Sequence, residues 1–335
     1  MDLSYAYTNA RIKGMRSNLL DENVLREMMQ VKTIDEITAI LEQTPYKQEL
    51  IEASKNYSGV QRIDVALHAN MAKTIAKVAK VLPAEGKKLF ALLNAEWDAQ
   101  NFKLILSKKA LGMEVSGEEL ISFDRKRERL YARLIASKSI GEAIESIASK
   151  WGSGKFKSKI REMAKRNPEL KDVIREIENE RVRQLISLCK KADPLTAKIV
   201  QQQLGFENAM AVLRLKKEGV KNPEEFVVYK NALVNGLLQA QDFDAAVKEA
   251  AEAFGLQPDE ANKAKQSLSL FEIALERKSV DRILSLSKRS VMDFATVVGF
   301  VFLKSVEVSN LRKIAYANAF GLKQELGQYV FAINA

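Results

Sequence analysis

The sequence contains a single cysteine and a single histidine in 335 residues, so it lacks most of the side chains from which reactive centres are built. One cysteine excludes an intrachain disulfide and is typical of a reducing compartment. Metal sites made from several His and Cys ligands are excluded for the same reason. Cys189 stands in an apolar helical stretch, so we predict a small core residue rather than a nucleophile. No cofactor is expected.

Long apolar runs are also missing. The most apolar stretch, residues 297–303, is seven residues long, whereas a helix that crosses a bilayer needs about twenty. We therefore predict a buried helix segment there, and the N-terminus shows no targeting signal. Proline and glycine are few, and the common residues are helix formers such as Ala, Leu, Lys and Glu. No strand alternation is present, so the predicted fold is all-α.

One motif occurs three times. Each copy has an Asn, apolar residues one and four positions after it, and a Gly eleven positions after it. The three pairs are Asn101 with Gly112, Asn208 with Gly219, and Asn310 with Gly321. The spacing predicts a helix that carries the Asn and ends at the Gly, which is a common C-terminal cap.

Two further elements share this period of about a hundred residues. A short helix is predicted after Thr33, with Glu36 completing a capping box, and similar segments begin at Ile140 and Phe243. An acidic residue precedes the Asn by 37 and 38 positions in the outer copies (Asp64 and Glu272), while the nearest in the middle copy is Glu178. Repetition of independent elements at one period indicates a triplicated unit.

The repeats predict three related helical subdomains, 1–115, 116–222 and 223–335, of which the second is shorter and more basic. A period of this length is too long for a solenoid of helix pairs. Three similar units joined end to end can close around an axis, although the sequence alone does not require it.

The net charge is +10, and the excess of basic residues is greatest between 125 and 166. A basic surface favours anionic partners, whereas interleaved acidic residues suggest an ordinary solvated face. One alternative function is therefore a helical RNA-binding scaffold, with Tyr131, Trp151 and Phe156 as the few aromatics available for base stacking.

Little in the sequence predicts catalysis. His68 has no Ser or Cys motif beside it, and its counterpart in the third copy is Glu276, so we interpret it as a structural histidine. The stretch Gly152-Ser153-Gly154-Lys155 lacks the first Gly and the final Ser or Thr of a phosphate-binding loop, so a flexible basic loop is expected. Each of the three Asn is predicted to bond another helix of its own subdomain, with Asp64 or Glu272 as the candidate partner in its own unit, and contact with a partner protein is the alternative.

Both ends of the chain resemble one family. The opening Tyr5-x-Tyr7-x-Asn9-Ala10-Arg11-x-Lys13-Gly14-Met15-x-Ser17-x-Leu19-Leu20 and the closing Glu307-Val308-Ser309-Asn310-Leu311-Arg312-Lys313-Ile314-Ala315 are similar to the C subunit of archaeal A-type ATP synthases. The eukaryotic counterpart is the d subunit of the vacuolar (V-type) ATPase. The similarity extends over essentially the whole chain, and in the middle third it depends mainly on the repeat pattern.

The resemblance implies a funnel of three subdomains with pseudo-threefold symmetry, and no enzymatic activity. It further implies a peripheral position on the cytoplasmic face of the membrane, between the proteolipid rotor ring and the central shaft formed by the D and F subunits. There the protein would transmit the torque that couples proton or sodium transport to ATP synthesis or hydrolysis. Neither nucleotide nor nucleic acid is an expected partner.

Contact residues are predicted from the first helix. Tyr5, Ile12, Met15 and Leu19 recur at helical spacing, and Gly14 suggests close packing. Arg11, Lys13 and Arg16 crowd this segment, so we predict that they bind acidic or carbonyl groups of the ring or shaft.

Overall fold

A computed structural model describes residues 5–166, 168–290, 293–322 and 330, with the side chains of 263–266 excepted. These residues form α-helices, short 3-10 helices and turns, and no strand occurs among them. The all-α prediction is therefore confirmed over the described ranges.

Helices before the first repeated Gly begin with α1, which lies within the predicted amphipathic opening. They are α1 Ala6–Arg16, α2 Glu22–Gln30, α3 Ile34–Leu41, α4 Lys47–Ala53, α5 Gly59–Val81, α6 Ala84–Leu93 and α7 Ala95–Ala110. The middle of the chain contains α8 Arg125–Ala136, α9 Ile140–Lys150, α10 Gly154–Lys165, α11 Leu170–Lys191 and α12 Pro194–Lys217. The last part contains α13 Ala232–Gln239, α14 Phe243–Phe254, α15 Pro258–Gln266, α16 Leu268–Lys288 and α17 Ala295–Ala319.

The same helix order occurs three times. The corresponding sets are α2–α5 with α7, then α8–α12, then α13–α17, while α1 and α6 are additional. The predicted short, acidic and Asn-bearing helices are the second, fourth and fifth members of each set. The first and third members, such as α8 and α10, are short helices that the sequence motifs did not reveal.

Repeated capping explains why the short helices start where they do. Thr33, Ser139 and Asp242 each accept a hydrogen bond from the backbone N–H three residues later, at the starts of α3, α9 and α14. These bonds satisfy amide groups that a helix N-terminus leaves without partners. Thr33 and Glu36 form the predicted capping box. Equivalent caps in all copies show that the sequence period is also a period of local structure.

The described chain divides into two compact units. One spans Met1–Leu185 with Val301–Asn334, and the other spans Ile186–Phe300. Helices α11 and α17 contribute residues to both units. The predicted subdomain boundaries at 115 and 222 remain predictions.

In the first unit, a buried cluster joins α7 to the helices that follow it. Phe102 of α7 contacts the Trp151 ring edge-on at 5.2 Å, and Trp151 contacts Phe156 at 5.1 Å. In the second unit, α12 residues such as Met210 and Leu213 lie in one cluster with Phe271 of α16. Each cluster therefore combines an Asn-bearing helix with helices of the next copy.

Candidate partner-binding surface

The predicted contact residues Arg11, Lys13 and Arg16 all lie on α1. Arg11 and Lys13 are exposed, and Arg16 is half-buried. Successive residues of a helix are rotated by about 100°, so Arg11 and Lys13 lie at opposite edges of the exposed face of α1. The three basic residues therefore do not form one compact patch. The packing predicted at Gly14 is wrong, because a Cβ atom there would meet nothing within 4 Å.

The repeated glycines have the predicted capping role. Gly112, Gly219 and Gly321 have φ values of +68°, +68° and +72°, in the left-handed region that favours glycine. After each Gly, the next backbone N–H bonds the carbonyl five residues earlier, as in Met113 to Lys108 at 2.8 Å. This is the Schellman motif, which satisfies the last carbonyl groups of a helix.

The repeated asparagines are buried, but the partners predicted for them are wrong where bonds are resolved. Asn101 donates to the Ile121 carbonyl at 2.9 Å and accepts from the Ile121 N–H at 3.2 Å. Asn208 donates to the Leu204 carbonyl of its own helix at 2.8 Å. Asn310 is fully buried. Asn101 therefore fixes the segment that leads into the next copy, and it bonds backbone rather than a carboxylate.

The acidic residues of the repeats bind cations instead. Asp64 accepts from Arg312 Nε at 2.6 Å, and Glu272 accepts from Arg214 at 2.6 Å. Glu178 forms an ion pair with Lys103. Each acid comes from one copy and each base from the Asn-bearing helix of another, and every pair lies within one compact unit. The acid of the first copy pairs with a base of the third, the acid of the second with a base of the first, and the acid of the third with a base of the second.

His68 belongs to the Asp64–Arg312 pair. Its Nε2 lies 2.5 Å from an Arg312 nitrogen; since a guanidinium only donates, Nε2 accepts and the ring is neutral. Burial, and next the Arg312 charge, lower the pKa of His68 to about 4, against opposing effects of Asp64 and Glu119. Nδ1 is buried and has no hydrogen-bond partner among the described residues. The lone pair that a general base would use is therefore occupied by Arg312.

The other reactive-looking group, Cys189, is half-buried and lies 3.8 Å from the Ala197 carbonyl. Burial raises the pKa of the Cys189 thiol to about 11, so it stays protonated at neutral pH. A protonated thiol is a poor nucleophile, which agrees with the structural interpretation of this residue.

A buried polar network ties α17 to the beginning of the chain. Glu307 accepts from the Tyr46 hydroxyl at 2.7 Å, the Lys304 ammonium at 2.6 Å and the Leu20 N–H at 2.5 Å. Lys304 also donates to the Tyr46 hydroxyl at 2.8 Å and lies over its ring. Burial, followed by the Glu307 charge, raises the pKa of Tyr46 well above its ordinary value, so the phenol remains a donor. Sequence reasoning missed this network because its members are far apart in the chain.

The basic stretch at 125–166 differs from its prediction in two ways. Tyr131, Trp151 and Phe156 are buried, so none offers a face for stacking bases. The expected loop at Gly152-Ser153-Gly154-Lys155 is a turn that starts α10, with Ser153 accepting from the Phe156 N–H at 3.3 Å. The RNA-binding alternative therefore loses the aromatic residues on which it depended.

Large apolar residues are exposed beside two of the repeated caps. Leu111 and Met113 flank Gly112 and are 73% and 53% exposed, and Phe320 and Leu322 flank Gly321 at 67% and 69%. Clusters of exposed apolar residues often mark interaction surfaces. We call the residues beside Gly112 and Gly321 the tips. They are a second candidate surface for partner contact, which the Gly motif alone did not reveal.

No helix in the described ranges has the length and apolar character needed to cross a membrane. Within the same residues, His, Cys, Asp and Glu side chains do not gather in groups of three or more that could hold a metal ion.

Comparison with known proteins gives a consistent result. The chain matches the model of the ATP synthase (C/AC39) subunit family over residues 8–328. Similar proteins include the C subunit of the A-type ATP synthase of Methanococcoides burtonii, 26% identical over 96% of this chain and 92% of the relative. The C subunits of the Thermococcus onnurineus and Haloquadratum walsbyi synthases are 25% and 24% identical, over 96% and 95% of this chain and 88% and 95% of the relatives.

The fold and the match together define a helical, non-catalytic subunit of a larger assembly. The family model covers nearly the whole chain. The chain belongs to the ATP synthase (C/AC39) subunit family, which confirms the resemblance inferred from its two ends.

Proposed function

We propose that this protein connects the membrane rotor ring to the rotating shaft of the D and F subunits and transmits torque between them. In this role it lies on the cytoplasmic face of the membrane as a peripheral part of the synthase. Family membership is the observation that carries the proposal. The torque couples proton or sodium transport to ATP synthesis or hydrolysis in the catalytic head.

The proposed architecture is a funnel with pseudo-threefold symmetry. The cyclic order of the repeat ion pairs, first with third, second with first and third with second, supports it. The Glu307 network supports a stiff coupling part, because it links α17 to residues of the first copy through buried, charge-assisted hydrogen bonds.

Arg11, Lys13 and Arg16 are the proposed polar contacts to ring or shaft, and the tips beside Gly112 and Gly321 are the proposed apolar ones. Polar groups at the rim of an interface set orientation and specificity, while apolar groups contribute most of the area buried at its centre. Arg11 and Lys13 are exposed and suit such a rim.

The test is reversal of the two exposed charges in the full-length protein. Arg11→Glu with Lys13→Glu should weaken capture by the isolated ring or by the D–F shaft by about tenfold or more, since close charge pairs across an interface strongly affect affinity. Half-buried Arg16 is left unchanged so that folding is not disturbed.

The matched control is Lys126→Glu with Arg129→Glu, which reverses two exposed charges on α8. It should leave ring and shaft capture unchanged. Unchanged capture by the α1 variant would remove these residues from the interface, and failure of the unmodified protein to bind either partner would overturn the proposed role.

A further inference from the structure

The second compact unit, Ile186–Phe300, contains an open cleft of about 830 Å³. Helices α12 and α16 form its sides, and the segment leading into α13 and the end of α14 complete it. The repeat ion pair of this unit, Arg214 with Glu272, does not contribute to the lining. The cleft is therefore a separate feature from the contacts that join the copies.

Four cations line the cleft without a compensating charge. Lys198, Lys230, Arg282 and Arg289 are exposed, and none forms an ion pair with any residue that the structure describes. No carboxylate is among the described residues of the lining. Arg282 lies on α16 and Arg289 is the C-terminal cap residue of that helix, seven positions later. Seven residues are about two helical turns, so both side chains lie on one face.

Three other cations of the same unit have partners. Arg214 binds Glu272, Lys216 donates to the Ala240 carbonyl at 2.7 Å, and Lys278 lies 3.9 Å from Glu260. Like charges gathered in a cleft raise the local potential and attract anionic groups. The cleft differs from these paired sites because four cations face one concave surface without a carboxylate among them.

The rest of the lining favours a peptide over a small anion. Leu233, Phe254 and Leu286 supply apolar surface between the cations, and Tyr229 adds an aromatic ring with a hydroxyl group. A free inorganic anion would use only the charges. A segment that carries carboxylates beside apolar side chains would use both kinds of surface.

We propose that this cleft binds an acidic segment of a neighbouring protein of the same synthase, with carboxylates on the four cations and an apolar side chain between Leu233, Phe254 and Leu286. This inference rests on the proposed function, because it takes its partner from the assembled complex.

The test uses zero-length carbodiimide cross-linking of the intact synthase complex, followed by mass spectrometry. Carbodiimide joins an amine only to a carboxylate that already touches it. Lys198 and Lys230 should form links to Asp or Glu of another protein in the complex. Lys221 and Lys248, which are exposed in the same unit but lie outside the cleft, are the controls and should not.

A variant sharpens the test without altering the lysines that report it. Arg282→Glu with Arg289→Glu should reduce the yield of these links by about tenfold or more, because two of the four cations become carboxylates and the net positive charge of the cleft is cancelled. Lys221→Glu with Lys248→Glu changes the same number of charges and should leave the yield unchanged.

Three outcomes would overturn the inference. Cross-links from Lys198 and Lys230 could be no more frequent than from the control lysines, or they could persist in the arginine variant. The cleft lysines could also be shielded by bound RNA, and become reactive only after nuclease treatment. In each case the protein still purifies with the complex, so the proposed function survives; loss of this association would instead contradict the proposed function.

Discussion

The buried polar network around Glu307 differs from the acid–base pairs that recur between the three repeat copies. Among the described residues the Glu307 network occurs once and is buried, with Lys304 and Glu307 side chains only 6% and 0% exposed. The acid–base pairs between copies recur, and the Arg214–Glu272 example is 55% and 31% exposed. Both contain carboxylates and cations at hydrogen-bond distance, so burial is the main difference between them.

Burial changes what each contact contributes. An exposed ion pair gains little, because water screens the charges and the side chains lose conformational freedom. A buried pair is also expensive to form, but removal of one partner leaves a charge that water cannot reach. The repeated ion pairs therefore specify which helices meet. The Glu307 network instead makes the attachment of α17 to the first copy sensitive to the loss of any one of its charged side chains.

The largest expected effect comes from Glu307→Ala. It leaves the Lys304 ammonium buried and removes the acceptor for Tyr46 and the Leu20 N–H, so the free energy of unfolding should fall by about 3–5 kcal/mol. Glu272→Ala is the matched control and should cost less than about 1 kcal/mol. Chemical denaturation at neutral pH measures both.

Equal losses in these two variants would contradict the distinction between buried and exposed contacts. A second variant protects the test against simple misfolding. Glu307→Leu combined with Lys304→Met removes both charges, and it should be more stable than Glu307→Ala because no unpaired ion remains.

An intermediate effect is expected from His68, which joins one of the repeated pairs and is half-buried. Its pKa in the folded protein is about 4, below the ordinary value of 6.5. The unfolded chain therefore takes up the proton first on acidification, and stability is lost as pH falls from 6.5 towards 4.

Removal of the imidazole should remove this pH dependence. Between about pH 7 and about pH 4.5, the stability of the wild type relative to His68→Gln should fall by about 2–3 kcal/mol. Urea denaturation of both proteins at the two pH values gives this difference in the free energy of unfolding. The titration of all other groups is common to both proteins and cancels. A difference independent of pH would show that His68 has an ordinary pKa.

The smallest effect concerns the repeated caps. Gly219→Ala forces a Cβ atom into a left-handed conformation and should cost about 1–2 kcal/mol. Gly14→Ala replaces glycine on an open helix face and should stabilise by about 0.5–1 kcal/mol. Thermal and chemical denaturation of the pair should therefore show opposite signs. A loss in both would indicate that Gly14 requires its own backbone freedom.

Features that depend on neighbouring residues were predictable from the sequence. Gly112, Gly219 and Gly321 cap their helices as predicted, and Thr33 with Glu36 forms the predicted capping box. Such motifs are satisfied within a few residues of backbone, so a short pattern contains all that they need.

Features that depend on packing were not predictable. The expected carboxylate partner of Asn101 was wrong, since this side chain bonds the backbone of Ile121. The sequence around Trp151 and Phe156 does not indicate that they pack against Phe102, so only the structure removes them as base-stacking residues of the RNA-binding alternative. Which face an aromatic residue presents is decided by helices elsewhere in the chain.

The sequence by itself determined the helical class, the threefold repetition of helix order and the family, because these follow from local patterns and from motifs at the two ends. Only the tertiary structure decided that the Asn-bearing helices α7 and α12 pack with helices of another copy, and that Glu307 accepts hydrogen bonds from Tyr46 and Leu20. Those contacts join residues up to 287 positions apart. Such residues meet only when whole helices pack, since a period in the sequence shows which segments are alike and not which ones touch.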